Sequence, residues 1–300
     1  MTDTTAPTGR TPSDPGEPPE LRPYSDTVYV WEPHSARMPP LRPYLQDAWD
    51  RRHFVVAFAK ADLRGARSRT RLGEVWAVVD PLFQAAIYWF LITMIRTAPG
   101  QDSTERLTIL ISGIFLFTFS STVVSGGGRA IIRNKGLMLN STFPRILLPA
   151  TETYKGLLDL GPYLLVYAVI HVLLGGPIGP GIFFMPLLLV LQLMISVGLA
   201  LIFATLTVYI SDMSNLLDYI MRIVFFTTPI LYPVSKLGPV ASTLLQLNPF
   251  FALFACYQAV VTGTVPSGRY LVQAVVWAFA LLYAGFRTFV SREREFALRL

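Results

Sequence analysis

The sequence predicts an all-α membrane protein. It reads as six transmembrane helices, preceded by an amphipathic helix lying along the membrane surface and interrupted late in the chain by short re-entrant helices. Three observations predict this. Apolar residues make up 52% of the 300 residues and charged residues only 15%, where a soluble domain carries about a quarter charged. Long stretches between residues 75 and 290 are almost without charge. The basic segment FVVAFAKADLRGARSRTRL runs directly into the apolar GEVWAVVDPLFQAAIYWFLITMI. The chain has room for about two soluble domains or for one bundle of six spans of about 20 residues each.

The elements follow in order. Residues 1–40 form a tail rich in Pro, Thr, Ser and Asp. It holds too little apolar surface to order itself and lacks the apolar core of a signal peptide. It is therefore expected to stay disordered in the cytoplasm, with Tyr24 to Pro43 as an extended arm. Residues 54–72 form the surface helix. At 100° per residue, Lys60, Arg64, Arg67 and Arg71 fall within about 60° of one another. Phe54, Phe58 and Leu72 occupy another face, although Asp62 and Arg69 interrupt it. A basic stripe beside an apolar face suits anionic headgroups; the simpler alternative is a charged flank that sets topology.

The first span is expected at about 75–95, with Pro81 kinking its start. The second runs over about 107–124 and is expected to end at Ser125-Gly126-Gly127-Gly128, because glycine weakens helices. The third covers about 146–174, the fourth about 182–210 and the fifth about 220–232. From Pro233 to Pro266 the chain is apolar but broken by four prolines, which predicts short helices dipping into the outer face under the cover of protein. The sixth span covers about 270–290, and the tail SREREFALRL follows.

Lysine and arginine placement orients the bundle. With the N-terminus inside, the inner flanks hold Arg51, Arg52, Lys60, Arg64, Arg67, Arg69, Arg71, Arg129, Arg133, Lys135, Arg145, Arg222, Arg287, Arg292, Arg294 and Arg299. The outer flanks hold Arg96, Arg106, Lys236 and Arg269. Sixteen against four is the positive-inside bias. With an even number of spans it orients a multi-pass protein of a cytoplasmic membrane with both termini in the cytoplasm. It also accounts for the net charge of +6 without nucleic acid.

Several chemistries are excluded or unsupported. The single cysteine, Cys256, cannot form an intrachain disulfide, and no metal-ligand spacing occurs. His34, His53 and His171 are scattered. No G-x-x-x-x-G-K-[ST] loop is present, so ATP is not bound by that route. Intramembrane acids for proton coupling are few. Lys155 with Asp159, and Asp218 with Arg222, are expected to neutralise each other as i,i+4 pairs. Asp80, beside Pro81, is expected to cap the kinked helix, with substrate contact as the alternative.

Two features point to partners. The seventeen residues from Arg129 to Arg145 exceed a simple connector between antiparallel helices. Their apolar residues among bases predict a short helix that docks into a partner's groove or packs on the bundle's own inner face. Aromatic side chains in the spans suit the apolar faces of sugars, or alternatively lipid-facing belts. Phe83, Phe115, Phe119 and Tyr232 are the candidates for facing a channel.

The chain resembles the membrane subunits of ABC-2 type ABC transporters, in particular exporters of lipid-linked polysaccharides such as O-antigen, teichoic acid and galactan. The segments that carry the resemblance are ADLRGARSRTRLGEVWAVVDPLFQAAIYWF, LISGIFLFTFSSTVVSGGGRAIIRNKGLMLNSTFPRILLP, LALIFATLTVYISDMSNLLDYIMRIVFFTTPILYP and LNPFFALFACYQ. It covers about residues 41–300, the expected transmembrane domain. GARSRT stands where members often carry bulkier residues, and Ser211-Asp212 where they often carry Arg-Asp.

The resemblance implies six membrane helices, an N-terminal interface helix, cytoplasmic coupling helices and outer gate helices within Pro233 to Thr262. It implies two copies of this chain and two copies of a separate ATPase, which alone binds ATP and Mg; this chain binds no cofactor and is not itself an enzyme. Coupling to the ATPase would fall to Arg133, Asn134, Lys135, Leu139, Phe143 and Arg145, with Asp212 in a second contact. Lys60, Arg64, Arg67 and Arg71 would meet lipid headgroups or a pyrophosphate-linked substrate, because in the family this helix borders the substrate's entrance. The implied role is export of a lipid-linked glycan for cell wall biogenesis. An ABC-2 exporter of drugs or small lipids shares the fold, and a membrane glycosyltransferase is the reading from another class.

Overall fold

The structure, a computed structural model, describes residues 41–68, 71–94, 103–140, 143–234 and 237–299. The expected tail at 1–40, Arg69 and the polar loop at 95–102 lie outside the described residues, as do the side chains of Arg67 and Leu139.

Among the described residues every regular element is helical. Two amphipathic helices come first, α1 (Leu41–Asp50) and α2 (Arg52–Ser68). The interface helix thus begins earlier than expected and is led by a further helix. A 3₁₀ turn, Gly73–Val75, joins α2 to α3 (Trp76–Met94). Gly73 has φ +51°, the left-handed region that glycine adopts without a Cβ clash, so the chain can turn sharply from surface helix to apolar helix. Pro81 lies inside α3.

The apolar bundle continues with α4 (Ser103–Arg133), the short α5 (Lys135–Asn140), α6 (Leu147–Leu173) and α7 (Met185–Tyr209). Then come α8 (Met213–Thr227), α9 (Pro239–Leu245), α10 (Pro249–Val261), α11 (Gly268–Arg292) and α12 (Phe296–Arg299). Among the described residues four stretches are long and apolar enough to cross a membrane: Glu105–Arg133, Leu147–Leu173, Pro180–Tyr209 and Gly268–Arg299. α3, with 19 residues, extends about 28 Å at 1.5 Å per residue, close to the hydrocarbon thickness of about 30 Å.

Two boundaries differ from the sequence expectation. The second apolar helix does not stop at the glycines: α4 runs through Gly126-Gly127-Gly128 to Arg133. A Cβ on Gly126 would meet Glu152 Oε2 at 2.9 Å, one on Gly127 would meet Ala200 at 2.8 Å, and one on Gly128 would meet Leu217 at 2.7 Å. The glycines let α6, α7 and α8 press against α4, and that packing outweighs weak helix propensity. The fifth helix starts at Met213, not near Ile220, and stops at Thr227. Thr228 is extended, with ψ 139°, because it precedes Pro229 and the proline ring disfavours helical backbone there.

The core lies where α4, α6, α7, α10 and α11 meet. α7 and α11 pack backbone to backbone at Gly198 and Gly285, where a Cβ on Gly285 would fall 2.2 Å from the Gly198 carbonyl oxygen. The short helix α10 is sunk in this core, with every residue from Phe250 to Tyr257 buried. Gln192 ties the layers together. It donates to the Leu116 carbonyl (2.6 Å) and to Ser120 Oγ (2.8 Å), and it accepts from Tyr257 Oη (2.8 Å). Buried polar groups in an apolar medium need such partners, and no buried side-chain polar atom among the described residues lacks one.

A second apolar cluster sits at the end of the bundle that gathers the C-termini of α4, α7 and α11. It includes Ile131, Met138, Leu148, Val208, Phe289 and Phe296, with Tyr44, Leu137 and Phe143 packed against it.

Candidate functional site

That end of the bundle is also where charge concentrates, and three polar arrangements are built there. The first joins α2, α6 and α4. Lys155 Nζ donates to Glu152 Oε1 at 2.9 Å and also to Asp62 of α2, while Arg133 stands 3.5 Å from the same Glu152 oxygen. The second joins α4 to α8: Arg129 donates to the Ser214 carbonyl at 3.0 and 2.8 Å and pairs with Asp218 at 2.7 Å.

The third fastens the C-terminal tail. Tyr44 Oη donates to Glu293 Oε2 at 2.6 Å, Arg145 donates to the Glu293 carbonyl and Tyr209 donates to Glu295. The guanidinium of Arg299 lies 4.1 Å from the Tyr209 ring centroid, within cation–π range. Burial, then the charge of Glu293, pushes the Tyr44 hydroxyl well above its ordinary range, so it remains a donor. Burial lowers the Arg145 guanidinium, and Glu293 partly offsets this.

These contacts correct two local pairings. Lys155 meets Asp62 and Glu152, and Asp218 meets Arg129; the expected i,i+4 partners, Asp159 and Arg222, are not the ones chosen. Helical spacing makes a pair possible, but here a carboxylate on another element lies closer. Asp80 is no N-cap, since α3 begins four residues earlier at Trp76. It lines a cavity of about 260 Å³ with Asp159, Tyr163 and Phe119.

The candidates for coupling divide between surface and interior. Arg133 is 55% exposed and Lys135 is exposed. The Asn134 side chain donates back to the Ala130 carbonyl at 2.8 Å, closing the end of α4. Phe143 packs on Phe54 of α2, with centroids 5.6 Å apart, and Arg145 is held by the tail. The short helix in this stretch is α5, and Met138 and Leu137 anchor it on the bundle itself. Asp212 is exposed, and its carbonyl accepts the Asn215 and Leu216 amides at the start of α8. Lys60, Arg64 and Arg71 are exposed.

The four channel candidates are not brought together. Phe83 is 61% exposed on α3. Phe115 and Phe119 are buried, Phe115 edge-on to Tyr163 at 5.0 Å. Tyr232 donates to the Thr227 carbonyl at 3.1 Å beyond α8.

Sequence reasoning passed over three polar residues that hold the bundle. Besides Gln192, Asn248 caps α10 by accepting the Phe250 amide at 2.9 Å and donates to Thr227, Thr228 and the Val224 carbonyl. Gln258 donates to the carbonyls of Pro229 (2.6 Å) and Tyr232 (3.0 Å). A lone polar residue in an apolar run was the signal.

Apolar helices of membrane-crossing length, a charged belt at one end and two amphipathic helices beside it define an integral membrane protein of the helical-bundle class. The profile of the ABC-2 type transporter matches residues 54–262, and the chain belongs to that family. It is similar to the "O-antigen export system permease protein RfbA" of Myxococcus xanthus, 25% identical over 84% of this chain and 97% of that protein. It is also similar to the protein of the same name from Klebsiella pneumoniae, 22% identical over 81% of this chain and 93% of that protein. A third relative is the "Polysialic acid transport protein KpsM" of Escherichia coli, 24% identical over 80% and 93%.

Proposed function

We propose that this chain is the membrane-spanning subunit of an ATP-driven exporter that moves a lipid-linked polysaccharide across the cytoplasmic membrane. The observation that carries the reading is similarity over nearly the whole length of relatives named for O-antigen export and polysialic acid transport. Two copies of the chain form the path, and two copies of a separate ATPase bind ATP and Mg and power it. The charged end of the bundle faces the cytoplasm, as the lysine and arginine bias requires, with both termini on that side. α3 and α8 complete six spans, α9 and α10 act as the outer gate helices, and α5 with the start of α8 meets the ATPase.

Depletion of the protein tests the proposal. Lipid-linked glycan is expected to accumulate on the cytoplasmic side, and a separate ATPase is expected to co-purify with the tagged chain. New drug sensitivity without glycan accumulation would replace the substrate with a drug or small lipid. Absence of any ATPase partner would sink the transporter reading.

A further inference from the structure

Two adjoining hollows run along the seam between α4 and α8. The first, of about 770 Å³, is lined by Arg129, Arg133, Asn215, Asp218, Tyr219 and Arg222 among others. The second, of about 360 Å³, shares Asp218 and Arg222 with it and continues past Ser121 to Phe117, Phe225 and Phe226. A polar mouth with three guanidinium groups therefore opens into an aromatic chamber. Phe117 and Phe225 meet edge to face at 5.2 Å, and Phe225 meets Phe226 in the same way at 5.4 Å.

The charges of the mouth are unevenly committed. Arg129 is fixed to Asp218 and to the Ser214 carbonyl, so it builds the wall. Arg133 is 55% exposed and stands 3.5 Å from Glu152, longer than the 2.7–2.9 Å typical of a charge-assisted hydrogen bond, and Glu152 already has Lys155 at 2.9 Å. Arg222 pairs with no carboxylate among the described residues; its recorded contact is the Tyr219 ring at 6.0 Å. The ion pairs themselves balance, three cations (Arg129, Arg133, Lys155) against three carboxylates (Asp62, Glu152, Asp218), and Arg222 adds one positive charge beyond them. Arg222 is thus free to turn toward an anion, and Arg133 can reach the same anion from its long 3.5 Å contact with Glu152; guanidinium is the group suited to bidentate phosphate recognition.

We infer that the seam between α4 and α8 is a diphosphate site, in which Arg222 and Arg133 bind the diphosphate of a lipid-linked glycan while Phe117, Phe225 and Phe226 carry the adjoining apolar or sugar portion. The inference rests on the export function proposed above and names the site that receives the substrate's charged group. It places the diphosphate in the mouth on α4 and α8, which is concave and leads inward, and leaves the lipid headgroups around that mouth to the basic stripe of α2, where Lys60 and Arg64 stand on an open face.

The test uses the full-length chain in nanodiscs of uncharged phosphatidylcholine, titrated with geranylgeranyl diphosphate. The wild type is expected to bind. Arg222→Gln and Arg133→Gln are each expected to weaken binding about tenfold or more, the loss of one hydrogen-bonded charge, and Arg222→Lys to weaken it less. Arg287→Gln, on an exposed position of α11, is expected to bind as wild type. The charge-retaining lysine variant guards against misfolding: if it binds, loss in the glutamine variant is chemical. Binding that persists in phosphatidylglycerol nanodiscs supports a diphosphate site, and binding abolished there means a general headgroup site and overturns the inference. Wild-type affinity in both glutamine variants overturns it as well, and if those variants instead lose the ATPase, the mouth is a protein contact. The binding assay does not require export. A failed depletion experiment with intact Arg222-dependent binding removes the exporter reading alone, and glycan accumulation on depletion with Arg222-independent binding removes this site alone.

Discussion

Lys155 Nζ and Glu152 Oε1 lie 2.9 Å apart on α6, with their side chains 8% and 7% exposed. A buried charge is tolerated only with a partner, and here each serves two: Lys155 also holds Asp62 of α2, and Glu152 also holds Arg133 of α4. One pair thereby fastens the surface helix and the long α4 to the same point of the bundle.

Lys155→Met is expected to leave the buried Glu152 with only the 3.5 Å contact to Arg133 and to cost about 3 kcal/mol, the lower end for breaking a buried pair. Asp62→Asn removes a group that is 55% exposed, and the expected loss is about 1 kcal/mol or less. Thermal unfolding of the purified chain in detergent separates the two. Equal losses would mean that the anchor lies on α2 rather than within α6.

Gly285→Ala places a Cβ 2.2 Å from the Gly198 carbonyl oxygen. The helices α7 and α11 must separate, and overpacking of this kind costs about 1–3 kcal/mol. Gly136→Ala has open space around it and is expected to leave stability unchanged or slightly raised. The yield of monodisperse protein after membrane extraction measures both.

Gln192→Leu leaves the Tyr257 hydroxyl and Ser120 without a central partner, at an expected cost of about 1–3 kcal/mol for the stranded groups. Adding Tyr257→Phe removes one stranded donor, so the double variant should recover part of the loss. Strict additivity in this cycle would show that the two side chains do not act together.

Tyr44→Phe removes the 2.6 Å hydrogen bond to Glu293. The tail after α11 is then held mainly by Arg145 and the Tyr209 contacts. Limited trypsin digestion is expected to cut at Arg294 faster than in the wild type. An unchanged cleavage rate would assign the fastening to the Phe289–Phe296 ring contact instead.

Reversing Lys60 and Arg64 to Glu tests the exposed stripe on α2. Reduced glycan export with normal membrane insertion is the expected result. Unchanged export would leave the stripe a topology signal.

Much of the bundle was legible in the sequence, for a physical reason. A helix that crosses hydrocarbon needs a set length of apolar residues, and the expected 146–174 and 270–290 lie within two residues of α6 and α11 at each end. The glycine run was misjudged because propensity is local, while the reason for the glycines is what stands opposite them on α6, α7 and α8. The channel candidates scattered because aromatic composition says nothing of facing: Phe83 is exposed, and Phe115 and Phe119 are buried inside the bundle.

By itself the sequence determined the class: the apolar lengths, the basic bias at one end, the amphipathic segment before the first span and the proline-broken segment after the fifth helix. Each depends on neighbours along the chain or on the solvent each segment requires. Only the tertiary structure decided which charges pair, which glycines are contacts and where a basic mouth opens beside aromatic rings. Those depend on distances between helices, and Lys155 reaching Asp62 across 93 positions of sequence is the measure of that difference.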